Sequence, residues 1–245
     1  MRGITRVALS LAALTLVLTL PVTSPASDWL PQRLEARYEV TAEAFGGAGV
    51  GETRWVWSRP SPNALVFESV TEPSGLYSLV KSDVIRERSH IDVTTGEFRP
   101  RRYEYRRTGG KRDRIVEIDF DWQADRMTNT AKGQTRLMDI GPQTQDKLSY
   151  LLLVMRDLRG QPRELSYAIA SGGKLETYRL SVEGQESIQT PAGKFKTIRV
   201  QRLDQKKRST TLWFTPALAY LPVKIAHQDR DGLIEVTLTS VDGLP

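Results

Sequence analysis

The sequence predicts a mainly β protein, in which a single antiparallel, strongly curved sheet forms an open or half barrel wrapped around one main α-helix. From residue 27 onward, apolar and polar residues mostly alternate with period two, which is typical of strands with one buried face. Glycine, proline, asparagine and aspartate interrupt the alternation at intervals that suit hairpins. One segment, residues 144–159, has helical periodicity instead. Wrapping the sheet around this helix buries the apolar side of both.

The N-terminus has the layout of a secretory signal peptide. Arg2 and Arg6 precede the uncharged apolar run Val7–Leu20, and Ser24 and Ala26 occupy the −3 and −1 positions of a cleavage site. The run is shorter than the roughly 20 residues that a spanning helix needs. We therefore expect residues 1–26 to be removed and residues 27–245 to form a single β-rich periplasmic domain. No transmembrane segment is expected in the mature chain.

Composition narrows the classes of function. The chain has no cysteine, which excludes a lipid-anchored cysteine, thiol catalysis and thiolate metal sites. Its formal charge of +6 is mildly basic and lacks the strong clustered footprint of a nucleic-acid-binding protein. We expect no nucleic-acid partner, although weak attraction to an anionic surface fits this charge.

The first half of the chain contains a glycine-rich bend and a long hairpin. Glycines between residues 46 and 51 separate the alternating runs 34–44 and 52–57. A hairpin over residues 98–121 is expected to turn at Gly109-Gly110 and to pair Arg106 with Asp113 and Arg102 with Glu117. One face of this hairpin is aromatic and aliphatic: Tyr103, Tyr105, Val116, Ile118, Phe120 and Trp122.

The second half carries three more turns. Gly172-Gly173 and Asp229–Gly232 are expected to close hairpins, and Thr190–Gly193 has proline and glycine where a turn favours them. The expected cross-strand pairs are Leu165 with Leu180, Tyr167 with Tyr178, Val223 with Leu238, Ile225 with Val236, and His227 with Ile234.

The helix is predicted over Thr144–Arg159. Its apolar residues recur at i, i+3, i+4, i+7 and i+10, with Asp146 in the first turn, Arg156 and Arg159 in the last and Gly160 beyond. Other apolar residues widen this stripe, so the helix is expected to be buried on more than one side.

Histidine offers two candidates for acid–base chemistry. Ser89, His90 and Asp92 are the residue types of a catalytic triad, but alternation on a strand turns Ser89 away from the other two. A pair of His90 and Asp92 on one face is more simply a surface pair. His227 falls on an apolar face and is expected at the core or its rim.

An acidic row, Glu117, Asp119 and Asp121, resembles a set of Ca²⁺ ligands, but such a site usually takes six or more oxygens from a loop. Pairing with arginines across the hairpin is the simpler explanation. We expect no metal site and no cofactor. A glycosidase that uses a pair of carboxylates stays open as an alternative.

The aromatic hairpin face is the predicted ligand-binding site. Its members are Arg101, Tyr103, Tyr105, Phe120 and Trp122. If the sheet is open here, the aromatics line an apolar groove and Arg101, which has the same parity, meets an anionic headgroup. The alternative is that Arg99 and Arg101 extend past the sheet edge into solvent.

Three stretches together resemble an exported bacterial family catalogued as domain of unknown function 3108. They are residues 145–150 with Met155-Arg156, residues 190–195, and residues 212–215 followed by 221–225. The resemblance implies a periplasmic half-barrel with a helix, similar to the lipoprotein carrier and receptor folds (LolA/LolB-like). It brings no established catalytic residues, and likeness of fold alone does not assign a function.

We therefore expect a non-enzymatic protein of the bacterial cell envelope that binds a lipid or lipidated ligand in the groove of the half-barrel. An assembly factor that acts through a protein partner at an exposed sheet edge is the first alternative. A hydrolase that uses His90 or an acidic pair is the second.

Overall fold

The structure, a computed structural model, describes residues 29–79, 82–94, 97–110, 113–203 and 208–244. The predicted signal peptide lies outside these residues. Fourteen strands are found among them: β1 Arg33–Ala42, β2 Ala48–Ser61, β3 Ala64–Pro73, β4 Val84–Thr94, β5 Glu97–Thr108, β6 Arg114–Asp121, β7 Arg126–Ala131, β8 Gln134–Asp139, β9 Glu164–Ser171, β10 Lys174–Thr190, β11 Gly193–Arg202, β12 Ser209–Thr215, β13 Leu221–Asp229 and β14 Gly232–Asp242.

All fourteen strands belong to one antiparallel sheet. Its order is β8-β7-β6-β5-β4-β3-β2-β1-β14-β13-β12-β11-β10-β9. The chain thus runs from the middle of the sheet to one end, crosses through the helix α1, Ser149–Asp157, and returns from the other end. Strands β8 and β9 are the two ends and do not pair with each other. The predicted open barrel around one α-helix is confirmed.

The helix lies inside the curve of the sheet. Leu152 is fully buried, and the helix is buried on nearly all sides. One 3-10 turn, Leu158–Gly160, follows it. Three further 3-10 turns, Glu43–Phe45, Gly75–Leu79 and Pro216–Leu218, connect strands. Against the helix the sheet presents large side chains with almost no exposure, among them Trp57, Tyr38, Tyr103 and Phe67.

The helix begins later than the sequence predicted, at Ser149 rather than near Thr144. Before it, Gln145 forms a parallel bridge to the edge of β9. Its backbone N–H donates to the carbonyl of Ala168 at 2.8 Å, and its carbonyl accepts from Ala170 at 2.7 Å. The apolar stripe itself starts only at Leu148, and the backbone groups of Gln145 are bonded to β9, so they are not free for a helix.

The turns of the second half form where the sequence predicted them. Gly172-Gly173 joins β9 to β10, Thr190 pairs with Gly193 between β10 and β11, and Asp229 pairs with Gly232 between β13 and β14. Predicted pairs that the structure confirms are Leu165 with Leu180, Tyr167 with Tyr178, Ile225 with Val236, and His227 with Ile234.

The predicted register of the β5–β6 hairpin is wrong by two residues. Arg102 pairs with Asp119, and the hairpin closes at Arg107 with a loop longer than two residues. The glycines of this loop lie against the residues before β4: a Cβ on Gly109 would be 2.1 Å from the carbonyl oxygen of Ser82. This contact with a distant segment fixes the turn. Because the shift is an even number of residues, both faces of the hairpin from Arg102 to Asp121 keep their predicted sides.

Within the described residues, no helix has the length and apolar character needed to cross a membrane.

Candidate functional site

Of the five residues predicted to bind a ligand, three lie on the inner face of the sheet, Trp122 follows the end of β6, and these four pack with the core. Tyr103 and Phe120 are buried. Trp122 stacks on Phe120 with ring centroids 5.9 Å apart, and its indole N–H donates to the carbonyl of Pro100 at 2.8 Å. Tyr105 is partly buried against the same core.

The fifth residue, Arg101, does not lie on that face. His90 pairs with Arg102 and Ile91 pairs with Pro100, so Arg101 is the extra residue of a β-bulge. Its side chain is mostly exposed and forms an ion pair with Asp92 at 3.4 Å. The bulge changes the parity of β5, which period-two counting cannot detect. A role of the aromatics in ligand binding stays a prediction.

The three residues of a possible catalytic triad, Ser89, His90 and Asp92, do not converge, as the alternation on β4 indicated. Ser89 is buried, whereas His90 and Asp92 lie on the outer face. On the rim, His227 shares a hydrogen bond of 2.8 Å between its Nδ1 and the hydroxyl of Thr210.

A buried carboxylate joins the sheet to the start of the helix. The hydroxyl of Ser89 donates to Asp146 Oδ2 at 2.6 Å, while Oδ1 accepts from the backbone N–H groups of Leu148 at 2.7 Å and Ser149 at 2.9 Å. Asp146 therefore satisfies N–H groups that the first turn leaves free. Burial raises the pKa of Asp146 to about 6, and these hydrogen bonds oppose part of that rise.

A second acid, Glu87, lies on β4, two residues before Ser89. The hydroxyl of Tyr103 donates a short hydrogen bond to Glu87. Burial raises the pKa of Glu87, while this bond and the charge of Lys147 oppose the rise. The pKa of Tyr103 is raised well above its usual value by burial and by the neighbouring carboxylate. Both acids thus have partners in the folded chain, and they connect β4, β5 and the helix.

Side chains hold the two ends of the sheet together where strand pairing does not. We call this junction the seam: Asn129 and Arg136 near one end, Gly173 near the other, and Gln145, which joins β9 to β5. Asn129 Oδ1 accepts from the N–H of Gly173 at 2.8 Å, and Arg136 donates to its carbonyl at 3.3 Å. Gln145 Nε2 donates to the carbonyl of Phe98 at 2.9 Å.

Beside the seam, the outer edge of β8 pairs with no strand of the described residues. Its six residues are exposed except Met138, which is partly buried, and the Leu137 side chain is 62% exposed. Ile140 donates its N–H to the carbonyl of Asp125 across the hairpin. Because hydrogen-bonded pairs alternate along an antiparallel ladder, the N–H and C=O groups of Thr135 and Leu137 face away from β7. They are available to another strand.

A cleft of about 290 Å³ adjoins the same junction. Three of its lining residues carry a positive charge, and none of the described ones carries a negative charge. The lining residues are Ala131, Lys132, Gln134, Arg136, Gly172, Gly173 and Lys174. We call it the basic cleft.

In the part of the chain that the structure describes, no group of three or more histidine, aspartate and glutamate side chains could hold a metal ion.

A family model covers most of this architecture. The model described as "Protein of unknown function (DUF3108)" matches residues 37–239. The chain belongs to this DUF3108 family. Strands β1 to β14 and the seam all fall within or overlap the matched range.

The DUF3108 chain is also similar in fold to a solved structure, described as a beta-barrel-like protein of domain of unknown function DUF1849 from Brucella abortus. The TM-score is 0.55 and the identity 8%, with 87% of this chain and 98% of the other covered. At this identity the likeness supports the fold alone. No curated protein matches the chain.

Sequence reasoning missed the seam. Asn129 shares the inward parity of Met127 on β7, and an inward polar residue is a signal that it has a specific partner. Ser89 has the same signal on β4. Their partners, Gly173 and Asp146, are 44 and 57 residues away, so no local pattern connects them.

Proposed function

We propose that this protein is an exported, non-enzymatic binding protein of the bacterial cell envelope that takes up an extended segment of a protein partner at the free edge of β8. The unpaired backbone of β8 is the observation that carries the proposal. An extended segment that pairs with it becomes the next strand, and backbone hydrogen bonds supply the affinity. Proteins usually cover or charge such edges to prevent unwanted pairing.

The edge of β9, at the other end of the sheet, differs from that of β8, and the difference supports β8 as the binding edge. Gln145 already occupies the edge of β9 through Ala168 and Ala170. Strand β8 contains neither proline nor lysine, the residues that most often block an edge, and it exposes Leu137. The two ends therefore differ, and β8 is the one at which a partner can pair.

A lipid or lipidated ligand in the aromatic groove is a weaker proposal. Such a ligand needs the ring contact between Phe120 and Trp122 to open and the indole hydrogen bond to Pro100 to break. Hydrolysis is weaker still, because Asp146 is buried and Glu87 partly buried, and these acids are engaged with Ser89 and Tyr103.

Site-specific crosslinking in the producing cells tests the proposal. A photoreactive residue at position 137 should capture one partner in high yield, while the same residue at Ile115 should not. Ile115 is the matched control because it is comparably apolar, 46% exposed and located on β6, two strands from the edge. Equal capture at both positions, or none at 137, argues against β8 as the binding edge.

Two variants then distinguish backbone hydrogen bonding at β8 from contact with the Leu137 side chain. Leu137→Pro removes an N–H that faces the free edge, so binding of the captured partner to purified protein should be lost. Leu137→Thr keeps that N–H and should retain most of the binding. If threonine weakens binding as much as proline does, the contact is an apolar side-chain contact and strand addition is wrong.

A further inference from the structure

The basic cleft concentrates positive charge without a counter-charge. Lys132, Arg136 and Lys174 line it, and none of them forms an ion pair with a described carboxylate. Elsewhere on the sheet, cations commonly have acidic partners: Arg102 lies 3.2 Å from Asp119, and Lys224 lies 2.6 Å from Glu235. Like charges brought together repel each other, and a bound anion removes that repulsion.

The turn that presents Lys132 has an unfavourable backbone. Lys132 has a φ of +53° and precedes Gly133, whose φ is +74°. Asparagine and glycine are the residues that favour these two positions of a tight hairpin turn, and lysine gains nothing from the left-handed region. The position thus carries a charge at some cost to the stability of the turn.

The facing turn leaves room for a fourth cation. A Cβ on Gly172, which has a φ of +51°, would be 2.8 Å from Nη2 of Arg114. Glycine therefore allows the Arg114 guanidinium to approach the turn. Its carbon lies 5.5 Å from the ring centroid of Tyr105, which orients the side chain beside the cleft.

We infer that the basic cleft binds a phosphate-type oxyanion. Such an anion accepts several charge-assisted hydrogen bonds at once, and two lysines and one arginine around a small volume supply them. The cleft has a volume of about 290 Å³, which leaves room for a phosphate group among these side chains. The inference does not depend on strand addition at β8.

Calorimetric titration of the purified protein with pyrophosphate tests the site. Lys132→Asn should weaken binding about tenfold, the effect of losing about 1.4 kcal/mol of interaction. Because asparagine tolerates a positive φ, the same variant should melt at the wild-type temperature or above it. Lys174→Gln should weaken binding similarly. Raising the NaCl concentration to 0.5 M should weaken binding to the wild type, because salt screens exposed charges.

Lys194→Asn is the matched control. It removes the same charge from an exposed lysine beside the turn at the opposite end of β10 and should leave binding unchanged. Equal losses in Lys194→Asn and Lys132→Asn would mean a general charge effect and would overturn the site.

Vesicles distinguish the source of the anion. Lys132-dependent binding to phosphatidylglycerol vesicles but not to phosphatidylcholine vesicles or pyrophosphate identifies a lipid headgroup; Lys132-dependent binding of pyrophosphate identifies a free anion. Binding to neither, or binding that does not change in Lys132→Asn, overturns the inference.

Discussion

At the scale of single residues, the buried carboxylate of Asp146 has specific partners. Asp146 is fully buried, and its carboxylate accepts three hydrogen bonds that connect Ser89 on β4 to the first turn of the helix. An isolated buried carboxylate is costly, and these donors reduce that cost without removing it, which is why the pKa is still raised to about 6.

The raised pKa predicts how stability depends on pH. The folded chain holds the Asp146 proton more tightly than the unfolded chain, whose pKa is near 3.8. The contribution of this group to stability is therefore greatest below pH 4 and is lost as pH rises through 6. From pH 4 to pH 7, wild type should lose about 2 kcal/mol of unfolding free energy relative to Asp146→Asn, which does not titrate.

Urea unfolding of both proteins at several pH values measures this difference. Parallel pH profiles for wild type and Asp146→Asn would show that the pKa of Asp146 is the same in the folded and unfolded chains.

At the scale of elements, the helix lies at the centre of the core, and the sheet surrounds it. The helix connects the two runs of strands, β1–β8 and β9–β14, and its residues Leu151–Met155 are all buried. All strands of the described residues belong to this one sheet, so within that part of the chain the helix is the element that covers the inner apolar face.

Truncation in the helix should therefore destabilise the whole chain. Leu152→Ala should cost ~2–5 kcal/mol, because a fully buried leucine leaves a cavity, and the melting temperature should fall by several degrees. Leu137→Ala on the exposed edge of β8 is the control and should change stability by less than about 0.5 kcal/mol. Similar thermal melts for the two variants would contradict a helix at the centre of the core.

At the scale of the whole molecule, the two ends of the sheet are joined by side chains and one short backbone bridge. A barrel closed by strand pairing has no edge to offer, whereas this arrangement brings the ends together and still leaves β8 free. The seam, the free edge and the basic cleft are neighbours, because Arg136 belongs to all three.

Loss of one seam contact should weaken the junction measurably. Gln145→Ala leaves the carbonyl of Phe98 without its donor and should lower the free energy of unfolding by ~1–3 kcal/mol. The N–H of Ala170 should remain protected in hydrogen exchange, because it bonds to the backbone of Gln145. Gln123→Ala, at an exposed turn, is the control. An unchanged unfolding free energy would mean that the side chain of Gln145 does not hold the ends together.

Export is a prediction for the whole chain that the described residues do not test. In a Gram-negative host, the intact mass of the purified protein should correspond to residues 27–245, because Ser24 and Ala26 suit the signal peptidase. A retained N-terminus would refute both the cleavage site and the proposed location.

The sequence by itself determined the features that depend on neighbours along the chain. Period-two alternation assigns strand faces, and turns such as Gly172-Gly173 place cross-strand partners in register because few residues separate them. The helical stripe of residues 148–158 also needs no distant information. The fold class followed from these local patterns.

Tertiary structure alone decided the features that depend on distant segments. The bulge turned Arg101 outward, the approach of Ser82 to Gly109 shifted the β5–β6 register, and the pairing of Gln145 with β9 delayed the helix. In the last two cases a contact with a separate segment outweighs a local preference, because local preferences are small beside hydrogen bonds and packing. The seam arises in the same way, from polar side chains whose partners only the folded chain brings near.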